Sequence, residues 1–379
     1  MKVIVAMDSF KGSLTALEAC TAFEKGMKKV FSNIEIVKVP IADGGEGTVQ
    51  SLVDATRGRM VFEQVTGPLG DKVDAFYGIL GDGKTAVIEM AAASGLPLVP
   101  KEKRNPLVTT TYGTGELIKK ALDQGCQEFY LGVGGSATND GGMGMAQALG
   151  IKFLDREGRD IGFGGGSLKN LYRIDMSNRD TRLEETKITV LCDVDNPLCG
   201  EQGASYVFGP QKGASQVMVQ ELDKGLRHFA EIIKRDLRKD ILEVKGAGAA
   251  GGLGGGFIAF FDSVLKSGIE VVIEKSKLSE TIQGSDLVIT GEGKIDGQTI
   301  HGKTPIGVAK VAQRWGIPVI AVVGGIGQGA EAVHNHGIDA VFSIVPAPMS
   351  LEEAMNPSQA AQLMKRSAEE ISRLIRIIK

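Results

Sequence analysis

Several things are scarce in this 379-residue chain, and each scarcity removes a class of function. It has four cysteines, Cys20, Cys126, Cys192 and Cys199, and no two of them form a C-x-x-C pair. Neither a thiolate zinc site nor a dithiol redox motif is therefore expected. Aromatic residues make up 5% of the chain, too few to build base-stacking surfaces. The net charge is −3, from 43 Lys and Arg against 46 Asp and Glu, which leaves no global field to gather nucleic acid. No apolar run approaches the roughly 20 residues that span a membrane. The opening Met1–Ala6 is apolar for too few residues to act as a signal peptide and reads as a first strand. A reduced, cytoplasmic protein with no membrane and no nucleic-acid partner is the expectation. There is also no G-x-S-x-G string and no Cys–His nucleophile arrangement.

Glycine, by contrast, is abundant. The chain has 52 glycines, roughly one residue in seven and about twice the usual share. They come in clusters, as ligand loops do. The densest cluster, Leu131–Met145, reads LGVGGSATNDGGMGM. The run before it, Glu128–Leu131, suits a short buried strand, and Met145–Leu149 suits a helix body. Glycines let backbone N–H groups approach an anion, and a helix N-terminus adds partial positive charge. Gly134 and Gly135 would supply backbone donors, and Ser136, Thr138 and Asn139 hydroxyl and amide contacts. The plain alternative is a tight strand-to-helix turn with no ligand.

The order of elements points to an α/β fold. Val3–Met7 and Ile34–Val39 read as strands, and each is followed by a helical stretch, the first opened by a Thr15/Glu18 capping box. From Val61 to Met90 three strands follow one another across short turns, which predicts a mixed or antiparallel sheet. A long amphipathic helix carries Leu222, Leu226, Phe229 and Ile233 on one face. From Leu287 the βα alternation returns, and the final helix carries Met364, Ala368, Ile371 and Ile375 at helical spacing. The two ends of the chain thus resemble each other and the middle differs. We expect a discontinuous doubly wound domain of flavodoxin-like order, residues 1–62 and 278–379, interrupted by an inserted mixed-sheet α/β domain, residues 63–277. Ligand is expected at the carboxyl ends of the parallel strands.

Two strings imitate nucleotide motifs. Gly246–Gly251 fits G-x-G-x-x-G, but the segment before it is too short for the required strand, so a glycine-rich hinge or wall is expected there. Gly297–Thr304 fits G-x-x-x-x-G-K-T, but the strand expected before it ends near Thr290, several residues early. Lys303, Thr304 and a helix opening at Pro305 nonetheless suit a phosphate. Just upstream, Glu292 and Asp296 are carboxylates suited to Mg²⁺. Asp193, Asp195 and Asn196 stand at a strand end, suited to a general base or magnesium ligands, or else to an Asx-turn before Pro197. Lys11, in a loop with Asp8 and Ser9, suits a carboxylate or a phosphoryl group, or is simply solvated. Asp43 and Glu46 suit substrate hydroxyls or Mg²⁺, or cap the next helix. His334 and His336 read as charge at a helix end. Loops of this composition suit phosphoryl transfer, in which the protein positions reactants and neutralises charge.

Five of these stretches resemble the bacterial glycerate kinases, in order and over essentially the whole chain. They are Asp8–Ser13, Ala42–Thr48, Gly134–Gly142, Cys192–Pro197, and Gly291–Gly293 through Gly302–Pro305. The resemblance implies ATP-dependent phosphorylation of the small molecule D-glycerate at the 2-hydroxyl, in glycerate or glyoxylate catabolism. It also implies a flavodoxin-like domain carrying an inserted α/β domain. The resemblance leaves the individual roles open; from the residues themselves, Lys11 is expected to hold the glycerate carboxylate and Asp193 to act as general base. Ser9, Asp43 and Glu46 would bind substrate, and the Gly134–Gly142 turn, with Lys303, the triphosphate. The rival expectation is a nucleotide- or metabolite-binding regulatory module without turnover.

Overall fold

The structure is a computed structural model and describes residues 1–378. In chain order its strands are β1 (Lys2–Met7), β2 (Glu35–Lys38), β3 (Arg59–Thr66), β4 (Lys72–Ile79), β5 (Thr85–Glu89), β6 (Glu128–Gly132), β7 (Lys152–Leu154) and β8 (Arg173–Asp175). There follow β9 (Lys187–Leu191), β10 (Val264–Lys266), β11 (Leu287–Gly291), β12 (Lys294–Ile295), β13 (Val319–Val323), β14 (Gly325–Ile326) and β15 (Ala340–Ser343). The chain divides into two compact units. One takes Met1–Asp43, Gln50–Arg57 and the chain from Gly268 on; the other takes Gly44–Val49 and Gly58–Ser267.

The first unit is built on a five-stranded sheet of order β15-β13-β11-β1-β2, parallel throughout. β1, β11 and β13 are apolar and almost wholly buried because parallel strands are covered on both faces. From β1 the chain winds one way to β2, and β11 lies on its other side, so the winding reverses between β1 and β11. Such a reversal opens a crevice beyond the strand ends. The helix Ala16–Met27 starts at the expected capping box, Thr15 accepting from the Glu18 N–H and Glu18 from the Thr15 N–H. It buries Ala19, Cys20, Phe23 and Met27. Its Gly26 lies so close to the helix Pro357–Ile378 that an added Cβ would stand 2.6 Å from the Ala368 Cβ. Met364, Ala368 and Ile371 of that helix are buried in the same core.

The second unit is built on a six-stranded sheet of order β10-β9-β6-β5-β4-β3. Its β3-β4-β5 meander is antiparallel, and β5, β6, β9 and β10 are parallel. The mixed sheet expected for the middle of the chain is therefore present. β3 pairs with β4 along its whole length, from Arg59–Ile79 to Thr66–Lys72, and this carries residues 58–66 into the second unit. The helix Gln216–Leu237 buries Leu222, Leu226, Phe229 and Ile233 as its periodicity predicts. Phe229 packs against Phe153 and Phe260, ring centroids 6.0 and 6.1 Å away, at the centre of this core.

Candidate active site

In the first unit, the loops leaving β1, β11, β13 and β15 line one cavity of about 440 Å³. Lys11, Lys294 and Lys303 supply positive charge, and Asp8, Asp43 and Glu292 carboxylates. Ser9 is also on the wall, while Ile344, Leu351 and Met355 make an apolar side. Five residues singled out from the sequence, Ser9, Lys11, Asp43, Glu292 and Lys303, are thus brought together by chain segments nearly 300 residues apart. Burial raises the Asp8 carboxyl to about 6, with the Asp43 charge adding to the effect. Thr304 Oγ1 donates to Asp8 Oδ2 at 2.6 Å, so Thr304 is spent inside the wall. Glu292 is raised to about 7, again by burial first, against the Thr299 hydroxyl and the Lys303 ammonium that favour its charged form. Thr299 Oγ1 donates to it at 2.8 Å. Asp296 is not on the cavity wall; its carboxylate takes the Gln298 N–H at 3.0 Å and pairs with Lys294 at 3.2 Å. The G-x-x-x-x-G-K-T string is no P-loop here. β11 ends at Gly291, the small strand β12 intervenes, and the helix opens only at Thr304.

Among the described residues no group of three or more His, Cys, Asp or Glu is arranged to hold a metal ion. Magnesium in a phosphoryl-transfer site takes one or two protein carboxylates and completes its shell with phosphate and water oxygens. Glu292 suits that demand, an oxygen donor held by one hydrogen bond on the wall of a cavity ringed by lysines. Asp296, engaged by Lys294 and Gln298, suits it less.

In the second unit, β6 ends at Gly132 and the next helix starts at Met143, so the glycine-rich segment between them is ten residues long, more than a tight turn. The helix N-terminus is not open to an anion. Asp140 accepts from the N–H groups of Gly142 and Gly144, and Thr111 Oγ1 accepts from that of Met145. A six-residue helix with its first donors so used offers no free anion site at that end. What faces outward is the bend itself. Gly134 and Gly135 are exposed, Ser136 is buried, and Thr138 and Asn139 are completely buried. Gly135 has φ +73°, a conformation side chains resist. Asn139 donates to Ser205 Oγ at 3.0 Å. Behind the bend, Gly251 and Gly252 adopt positive φ and the Gly141 N–H donates to the Gly251 carbonyl. The Gly246–Gly251 string is thus a glycine wall packed on the bend, with no strand before it.

The acidic loop Gly44–Gly47 passes close by in the same unit, the Gly45 Cα 3.7 Å from where a Gly134 Cβ would stand. Glu46 in that loop is exposed. The loop is anchored by Glu89, the last residue of β5, whose Oε1 accepts the Val49 N–H at 2.9 Å. Burial raises Glu89 to about 7. Asp193 follows β9, exposed, and accepts from Ser267 Oγ at 2.8 Å. Two buried groups went unread in the sequence. Glu89 had a signal, a carboxylate closing an otherwise apolar strand. Lys212 had none, since nothing in the string GPQKGA announces a buried lysine.

A parallel sheet whose strand-end loops gather lysines and carboxylates around a ligand-sized cavity defines an α/β protein that handles small anionic molecules. Comparison with known proteins narrows this. The chain belongs to the Glycerate kinase family, whose profile matches residues 3–376. It is 57% identical over 370 residues to a glycerate kinase of Halalkalibacterium halodurans, covering 98% of this chain and 97% of that one. To the glycerate kinase of Bacillus subtilis it is 56% identical over 379 residues, covering 100% and 99%. To the glycerate 2-kinase of Escherichia coli it is 56% identical over 354 residues, covering 93% of each. A crystal structure from Salmonella typhimurium LT2, 49% identical, superposes with a TM-score of 0.91 and covers 100% of this chain and 98% of that one.

Proposed function

We propose that this protein transfers the γ-phosphoryl group of ATP to the 2-hydroxyl of D-glycerate, giving 2-phosphoglycerate and ADP. The observation that carries the reading is the cavity of the first unit, where cations and carboxylates meet at the ends of four parallel strands in a member of this family. The 2-hydroxyl is favoured by the relative named a glycerate 2-kinase. The first unit is assigned to the flavodoxin-like class. Counted within the unit, its strands run 2-1-3-4-5, the order of that class, and the chain from Gly58 to Ser267 interrupts it.

Lys11 holds the glycerate carboxylate, and Ser9, Asp43 and Glu46 hold its hydroxyls. The glycerate oxygen attacks the γ-phosphorus, the bond from that phosphorus to the ADP oxygen breaks, and Asp193 takes the hydroxyl proton. A weak base suffices, because in a loose phosphoryl-transfer transition state that proton leaves late. The exposed Gly134–Gly135 backbone receives the triphosphate; Ser136, Thr138 and Asn139 hold the bend, and Lys303 is the second phosphate contact, the Thr304 hydroxyl being held by Asp8. Magnesium, held by Glu292 with Asp296 as the outer carboxylate, would neutralise charge between the phosphates. ADP release from ATP by the pure protein, with and without D-glycerate, tests the reaction, and phosphorus NMR of the product identifies the position. Release that does not depend on glycerate would sink the kinase reading and leave binding without turnover.

A further inference from the structure

Lys212 ends the short turn Pro210–Lys212 and is 1% exposed. Lysine is almost never fully buried unless it is paired, yet no carboxylate lies within ion-pair reach of it among the described residues. Its Nζ donates to Ser136 Oγ at 2.7 Å and to the Thr138 carbonyl at 2.7 Å. An ammonium has three donors, and these are its two protein acceptors among the described residues. Asp140 is the carboxylate that acts on it, but Asp140 already accepts from Thr111 N, Thr111 Oγ1, Gly142 N and Gly144 N. Beside those acceptors, Thr138 Oγ1 and Asn139 Oδ1 are buried without partners. Arg104, whose Cβ would stand 2.8 Å from a Cβ on Gly213, also has a buried Nε without a partner and no ion pair among the described residues. A buried cation without a contacting anion is strongly disfavoured. Lys212 is in that condition, and it grips the bend whose outer face is the exposed pair Gly134–Gly135.

We propose that Lys212 is a positioning residue for the nucleotide: its buried ammonium fixes Ser136 and Thr138 so that the Gly134–Gly135 backbone stays open to phosphate, and lends that bend a positive charge. The proposal rests on the reading that this bend receives the triphosphate of ATP. Burial lowers Lys212 to about 7, with the Asp140 charge acting against that shift. Among the described residues, Asp140 is the titratable group whose charge acts on it. A polyanion on the bend favours the charged ammonium, so nucleotide binding takes up protons near neutral pH.

The test is isothermal titration of the intact protein with AMP-PNP and Mg²⁺ at pH 7.5, in two buffers of different ionisation enthalpy, alongside steady-state kinetics. The wild type is expected to take up a fraction of a proton on binding; no uptake overturns the proposal. Lys212→Met is expected to abolish the uptake and weaken binding about tenfold or more, the loss of a charge-assisted hydrogen bond, with KM for glycerate unchanged. Lys212→Arg keeps the charge and is expected to restore most of the affinity without proton uptake. If the Met and Arg variants lose affinity equally and both melt earlier, Lys212 is only a structural brace and the proposal fails. Gly135→Val separates the layers. If it weakens AMP-PNP binding and Lys212→Met does not, Lys212 alone is misassigned; if it leaves binding intact, the bend is not the nucleotide site and both readings fall.

Discussion

Single side chains carry the chemistry, and the carboxylates of this protein are not equivalent. Asp8 at about 6 and Glu292 at about 7 share one cavity, whereas Asp193 is exposed at the end of β9. If Asp193 takes the proton, Asp193→Asn lowers kcat with little change in KM for glycerate; near-full kcat would make Asp193 structural. Lys11→Met is expected mainly to raise KM for glycerate, and a fall in kcat instead would move Lys11 onto the transferring phosphoryl group. Glu89 allows a stability test. Its folded value, about 7, lies above its unfolded one, so the folded state holds more protons in between. Its contribution to stability is full below about pH 4.5 and is lost as pH rises through 7. Glu89→Gln removes that dependence. The difference in Tm, variant minus wild type, should therefore rise by roughly 2–4 °C between pH 5 and pH 8, and a flat difference would refute the raised value.

At the scale of elements, legibility followed periodicity. The helix Gln216–Leu237 and the capping box at Thr15 were readable because apolar spacing and local side chain–backbone hydrogen bonds are written in consecutive residues. The segment 133–142 was only half readable. Its glycines announced a special backbone, but the donors of the following helix are consumed by Asp140, and that depends on Thr111 arriving from another element. Lys212 was unreadable for the same reason, since its partners lie 74 and 76 residues away. In the first unit, Ser9, Lys11, Asp43, Glu292 and Lys303 could be picked out as chemistry-bearing loop residues, but which of them share one wall is set by the sheet, and Asp296 pairs with Lys294 off that wall, a contact that spacing alone does not set. Phe229 tests the readable part. Phe229→Ala should cost about 3–5 kcal/mol, since it opens a cavity between Phe153 and Phe260 that the surrounding rings cannot close.

For the molecule as a whole, the return of βα alternation after Leu287 is the sequence signal for a discontinuous unit, and the pairing of β3 with β4 sets residues 58–66 with the other unit. Each unit has its own hydrophobic cluster. Calorimetry is therefore expected to resolve two transitions, with Phe229→Ala lowering one and leaving the other in place; a single transition that moves as a block would contradict this. The same split governs how the protein is made. Residue 2 pairs with residue 286, 284 positions later. At roughly 5–20 residues per second on a ribosome, β1 waits on the order of ten seconds to a minute for its neighbour β11, with only β2 to pair with meanwhile. Two strands alone are barely stable in water. Gly58–Ser267 has by then emerged in full and can close its own core, so the nascent apolar strand β1 is the stretch a holding chaperone would meet.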